Sequence, residues 1–365
     1  MGQLEGNLRD QRGVIFIMVI IALVVLLAFA ALALDVGNVM VVRNELQNIS
    51  DGAALAATRH LGSIYEGMSY TAQQNYDASA DAGTIISVAQ QVGASNNAAG
   101  IANVTINASD VEIGRWNTPT NPLVFTPTLS QPDAVRVRLR KDGSANGPVT
   151  TFFARIFGMN TIDVSATATA ALTGESTAGP GGLPVPAAIS RYWFENLGTV
   201  NFCNQPIRFH PSNDPLSCAG WDVYNRYSNA PDSRLRQTIA DLQSGTYESP
   251  ETTAYVTQYE FTGGTMSNQT FNNFMSLFQA NLNRDLNNDG VNDAWETGVP
   301  VYDSSDCSNP HGAITIVGFA TIVITNVIGP PAKIIDGYVI CNNVEPGRGS
   351  GGNYGTKGSI PGLVQ

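Results

Sequence analysis

The hydrophobic pattern begins with 21 consecutive residues, Val14 to Leu34, that carry no charged or strongly polar side chain. At about 1.5 Å per residue a helix of that run is about 31 Å long, which matches the hydrocarbon core of a bilayer. The apolar pattern then thins without stopping. Val36, Val39, Met40, Leu46, Ile49, Ala53, Ala57 and Leu61 recur at helical spacings, mostly three and four, as on an amphipathic helix. The pattern predicts one continuous helix: a transmembrane segment over 14–34 and an amphipathic stalk over 35–61, behind a cytoplasmic stub at 1–13.

Beyond residue 61 the period changes. Thr84–Val92 reads as helix, whereas Val104, Ile106, Val111 and Ile113 alternate with polar neighbours as in strands. Ala134–Lys141 alternates apolar residues with Arg136, Arg138 and Arg140, the mark of a half-buried strand with one solvated basic face. Thr151–Phe157 reads as a short helix that packs Phe152, Phe153 and Ile156 inward, and Val164–Ala171 alternates again. Helices on an antiparallel sheet make the first exported domain, 62–173, an α+β unit. Gly174–Gly182 has linker composition. A second domain spans 183–343 and ends in two apolar strands, Ala313–Ile328 and Lys333–Cys341, separated by Gly329-Pro330-Pro331. Residues 344–365 have the Gly-rich composition of a flexible tail. Gly347, Gly349 and Gly352 fit G-x-G-x-x-G, but no strand-to-helix turn accompanies them.

Length and charge narrow the function. The 365 residues suggest about two domains at ~150 residues each. Hydrophobic residues, at 43%, suffice for a core, while a net charge of −11 excludes the broad basic face that nucleic acid requires. Arg9 and Arg12 in front of the apolar run place the N-terminus in the cytoplasm. The rival is a cleaved signal peptide, since Ala28-Phe29-Ala30 and Ala31-Leu32-Ala33 both have the A-x-A form. The run exceeds the usual ~7–15 residues of a signal-peptide core, which favours a retained anchor.

All four cysteines, Cys203, Cys218, Cys307 and Cys341, follow the apolar run. An even number in an exported body implies two disulfides with three possible connectivities. The short polar segment between the first two favours Cys203–Cys218, leaving Cys307–Cys341. Zinc is disfavoured because no C-x-x-C pair is present. His210 and His311 have no nucleophile motif beside them, so no catalytic residues are assigned and the chain reads as a non-enzyme.

One chemical motif is specific. Residues 285–296, DLNNDGVNDAWE, fit the spacing D-x-[DN]-x-[DN]-G-x₅-E. A Ca²⁺ ion needs six to eight oxygens. Asp285, Asn287 and Asp289 would supply side-chain oxygens, Val291 a carbonyl, Asp293 a direct or water-mediated ligand, and Glu296 a bidentate carboxylate. The apolar stripe Phe271, Phe274, Met275, Phe278 and Leu282 leads a helix into this loop, and Pro300 forbids a long helix after it. The spacing predicts one structural Ca²⁺. The alternative is an Asx-rich turn closed by its own side chains.

The segment from Gln11 to Leu61 also resembles the N-terminal region of the TadG-like family of the tight-adherence (Tad, or Flp) pilus-assembly system. The residues that carry the likeness are Arg12-Gly13, Asp35-Val36-Gly37, and Leu46-Gln47-Asn48 through Asp51 to Ala57. It continues in Asp110–Asn117, Ala134–Lys141 and Asn146–Leu172, and returns in Ile316–Val327. Two features depart from relatives. Met18 stands where peptidase-processed prepilins have Glu, and Asp303-Ser304-Ser305-Asp306 lacks the D-x-S-x-S spacing of a von Willebrand metal site. The resemblance implies a single-pass accessory or pilin-like component of pilus assembly, acting as a structural or interaction protein. Its partners would be inner-membrane lipid and other Tad or pilin proteins, and its body would lie in the periplasm or outside the cell. The oligomeric state stays open. The alternative is a secreted calcium-binding adhesin or cell-surface binding protein released by signal peptidase.

Overall fold

The predicted helix forms and runs from Leu4 to Glu66, 63 residues without a proline. The computed structural model describes residues 4–117, 124–196, 202–209, 217–263 and 266–365. The helix, α1, is about 95 Å long at ~1.5 Å per residue. Its most apolar 18-residue window has a mean hydropathy of 3.4, and none of that window is buried. From Val42 onward the same helix is the centre of a core. Val42, Leu46, Ile49, Ala53, Ala57 and Leu61 are buried, while Val36 and Met40 of the predicted stripe stay exposed. The amphipathic stripe expected over 35–61 is present, and from Val42 onward it is covered by the first body. A large side chain such as Leu46 contributes about 1.5–3 kcal/mol when buried, so the sheet and helix that cover this stripe hold α1 in place.

That sheet has five strands, ordered Gly362–Leu363, Val164–Ala171, Ala134–Lys141, Val111–Asn117 and Val124–Pro127, all antiparallel. Its inner face offers Val135, Val137 and Leu139, with Ala166, Ala168 and Ala170 beside them. The small residues on Val164–Ala171 meet the alanines of α1, so helix and strand approach closely; Thr58 donates to the Ala170 carbonyl at 3.2 Å. A helix over Ala82–Ala94 covers α1 from another side through Ile85 and Ala89. On the outer face Arg140 donates twice to Asp110 (3.0 and 2.8 Å) and Arg136 stands 4.3 Å over the Phe125 ring, while Arg138 is exposed. Those arginines form a satisfied strand face. Val104 and Ile106 are buried, but the chain there is irregular and ends in a 3₁₀ turn before Val111.

The second body is built on a seven-stranded sheet. Its order is Pro206–Arg208, Ile334–Ile340, Gly312–Ile328, Trp295–Tyr302, Ala187–Ser190 and Ala219–Trp221, and Gln258–Phe261 adds to Gly312–Ile328. Ala187–Ser190 runs parallel to Trp295–Tyr302, and the other pairs are antiparallel. Helices Asp232–Ser244 and Asn268–Ala280 bury Leu235, Ile239, Phe271, Phe274 and Leu277 against it, around Trp221. The chain is an α+β protein with an apolar N-terminal helix, as its pattern indicates.

The C-terminal segment corrects a further expectation. Residues 344–365 are not a flexible tail. Asn343–Arg348 pairs in parallel with Thr356–Ile360, and Gly362–Leu363 joins the first sheet. The Gln73 amide bonds both ways to the Val344 peptide (2.8 and 3.2 Å), and Lys357 pairs with Asp133 at 2.6 Å. The glycines that gave this segment its flexible composition serve close packing. A methyl group on Gly351 would overlap the Glu175 carbonyl oxygen. Gly174–Gly182 is likewise fixed: Glu175 N–H donates to Thr356 O at 3.0 Å, and Thr177–Ala178 pairs with Thr252–Thr253.

Candidate functional site

Asp35 is the first charged residue after the apolar run. Its side chain is 3% exposed although every neighbour from Leu32 to Gly37 on α1 is exposed. The carboxylate accepts three backbone N–H bonds from one distant segment: Phe152 at 2.7 Å, Phe153 at 3.0 Å and Ala154 at 2.6 Å. Burial raises the Asp35 pKa, but the three N–H donors and the nearby Arg155 guanidinium outweigh that and hold it below the ordinary carboxylate value. The segment it grips turns through a 3₁₀ helix, Ala154–Phe157, and leaves through Gly158 at a φ of 85°. Arg155 Nε closes the turn on Phe152 O at 2.8 Å.

This arrangement reverses an expectation. Phe152, Phe153 and Ile156 do not pack inward. Phe152 is 56% exposed, Phe153 38%, Ile156 76%, Phe157 76% and Met159 54%. The reason is the Asp35 clamp: the backbone of the turn faces α1, so its side chains face away. The sequence marks Asp35 only as part of the Asp35-Val36-Gly37 likeness and assigns it no contact. The available signal was an acidic residue placed directly after a membrane-length run, where an unpaired charge is unfavourable.

The acidic loop lies elsewhere, between helix Asn268–Ala280 and strand Trp295–Tyr302. The side chains of the motif close on the loop's own backbone. Asp285 accepts Gly290 N–H at 2.7 Å, Asn287 accepts Asp289 N–H at 2.9 Å, and Asp289 accepts Val291 N–H at 2.8 Å. Asp293 accepts Leu286 N–H at 2.9 Å. Gly290 takes a φ of 87°, the turn that the motif reserves for glycine. Glu296 stands apart in the strand and pairs with Arg284 at 2.7 Å. Burial raises the Glu296 pKa, and Arg284 only partly offsets this. Among the described residues no three acidic, His or Cys side chains converge as a metal-ligand group.

All four cysteines are paired, in a connectivity that corrects the expected one. Cys203 bonds Cys341 across 138 residues, and Cys218 bonds Cys307 across 89. Sheet order is the cause. Pro206–Arg208 lies beside Ile334–Ile340, which brings the first pair to a Cα separation of 5.4 Å. Ala219–Trp221 borders Ala187–Ser190, whose Ser190 donates to Asp306 O at 2.8 Å, and Cys218 there meets Cys307. His210 lies outside the described residues, as do positions 118–123 of the proline-rich loop.

Two family models match the chain. One, described as putative Flp pilus-assembly TadE/G-like, covers residues 13–60, the outer part of α1 and most of its buried half. The other, putative Tad-like Flp pilus-assembly, covers residues 70–170, most of the first body. The Ile316–Val327 strand lies outside both. No curated protein and no solved structure gives a significant match.

Proposed function

We propose that the chain is a single-pass, membrane-anchored accessory or pilin-like component of the Tad (Flp) pilus-assembly system, a reading supported by the family matches at residues 13–60 and 70–170. In this reading Val14–Leu34 spans the cytoplasmic membrane, the N-terminus stays in the cytoplasm, and the body acts outside it as a structural and interaction protein. The observation that carries the reading is the coincidence of the family match at 13–60 with one helix whose most apolar window is wholly unburied and whose part from Val42 onward is a core element. Its partners are other proteins of the assembly system. Co-purification of the full chain from cross-linked membranes tests this. Recovery of other Flp pilus-assembly proteins is the expected result. Recovery of the body from the medium, free of such proteins, would support the released adhesin instead.

Ca²⁺ binding at 285–296 is a separate proposal. It is supported by the spacing of Asp285, Asn287 and Asp289 and by the Gly290 turn, and it requires Glu296 to leave Arg284 for the ion. The ion's role would be structural, fixing the loop between its helix and strand. At a hundredfold excess over the dissociation constant, one such ion stabilises the fold by about 2.7 kcal/mol. The expected outcome is a higher melting temperature in millimolar calcium than in chelator, an increase that Glu296→Gln reduces. An unchanged midpoint and no calorimetric heat would leave the loop as an Asx turn.

A further inference from the structure

We propose that the Phe152–Met159 turn is a second membrane contact, seated in the boundary between headgroups and acyl chains of the same bilayer that Val14–Leu34 spans. The proposal rests on the span reading above and extends it to a residue block 117 positions further along the chain.

Position comes first. Asp35 follows Leu34 directly, so it lies about 1.5 Å beyond the end of the 31 Å run. The headgroup zone adds about 5–7 Å on each side of a ~30 Å hydrocarbon core. Three hydrogen bonds of 2.6–3.0 Å fix the backbone of the turn to Asp35. The turn is therefore held at the level of that zone by the helix itself. What surrounds a group at that depth is lipid, which commits the occupant.

Chemistry agrees with position. Phe152, Phe153, Ile156, Phe157 and Met159 form one exposed apolar block, two of them 76% exposed. Patches of this kind mark interaction surfaces on otherwise polar bodies. On α1, next to Asp35 in sequence, Leu32, Leu34 and Val36 are exposed as well. Arg155, exposed within the turn, suits a phosphate headgroup. The N–H groups of Phe152, Phe153 and Ala154 would lose water on entering the boundary. Asp35 already satisfies them, which removes the largest obstacle to burying an irregular turn there. A helix alone leaves the body free to tilt and rotate, whereas helix plus turn gives two points of attachment and fixes the body's orientation.

The test uses the full chain reconstituted in phosphatidylcholine bilayers whose acyl chains carry bromine, a quencher of tryptophan, either near the headgroup or near the chain end. The native tryptophans are all buried in the body (Trp116, Trp193, Trp221 and Trp295, at most 8% exposed) and give a fixed background. Phe157→Trp adds a reporter at an exposed site, so folding is undisturbed. Val24→Trp adds one at the centre of the span. The added emission of Phe157→Trp should be lost with bromine near the headgroup and largely kept with bromine near the chain end, and Val24→Trp should show the reverse. Quenching of Val24→Trp alone, with Phe157→Trp emitting as in water, overturns the proposal and preserves the span; a surface for a protein partner would give that pattern. Failure to quench either reporter removes the span, and the proposal with it.

Discussion

Asp222 is buried completely, and only one of its oxygens is used: Oδ1 accepts Tyr224 N–H at 2.9 Å, and Oδ2 has no partner among the described residues. Burial pushes its pKa up to about 8, against which the single N–H bond acts weakly. The folded state therefore holds a proton that the unfolded chain releases near pH 4. This group's contribution to stability falls as pH rises from about 4 to about 8 and levels off above. Asp222→Asn keeps the acceptor and removes the charge. At pH 9 it should stabilise the protein by more than the about 1–3 kcal/mol that a neutral buried group left unsatisfied costs, because the group it replaces is then charged. At pH 5 the gain should vanish. Denaturant melts at the two pH values check this, and an equal effect at both would exclude titration of Asp222 as the cause. No sequence feature announces this residue, because burial of an Asp between a Trp and a Val depends on the fold. The acidic loop shows the opposite case. Its spacing was readable, but the Arg284 that takes Glu296 lies one residue before the motif and belongs to no part of it.

At the scale of elements, α1 was the most legible part of the chain. Its period and length gave the helix, and the family-like residues lay on it. Its burial was harder to read, because a stripe of Leu46, Ile49, Ala53, Ala57 and Leu61 is compatible with a stalk, a coiled coil or a core. The answer comes from the alanines of Val164–Ala171, distant in sequence. Gly62 makes the point testable. Alanine normally favours a helix over glycine by about 1 kcal/mol. Here a methyl group would overlap the Ser359 carbonyl oxygen of the C-terminal segment. Gly62→Ala should therefore destabilise by about 1–3 kcal/mol, the cost of overpacking, as read by urea unfolding; a gain in stability would place the C-terminal segment elsewhere. Within the outer half of the same helix, Val24→Arg puts a charge at the bilayer centre at a cost of about 2.5–3.5 kcal/mol. The variant should lose its carbonate-resistant association with membranes, and unchanged association would contradict the span over 14–34.

The molecule as a whole is joined by contacts between its ends. The C-terminal strands lie against α1 and complete the first sheet, Cys203–Cys341 ties the start of the second body to its last long strand, and the glycine-rich segments are packed between them. None of this was visible as a local pattern. Glycine composition is the same whether glycine serves freedom or close approach, and cysteine spacing favours near neighbours where sheet order decides. These contacts make one body suspended from one helix, which on the proposed reading stays attached both to the body and to the membrane. The most direct measurement is the N-terminal sequence of the mature protein taken from native membranes. Met1 or Gly2, upstream of the apolar run, is the expected result. A mature N-terminus near Ala31 or Leu34 would contradict it and make the protein a released one.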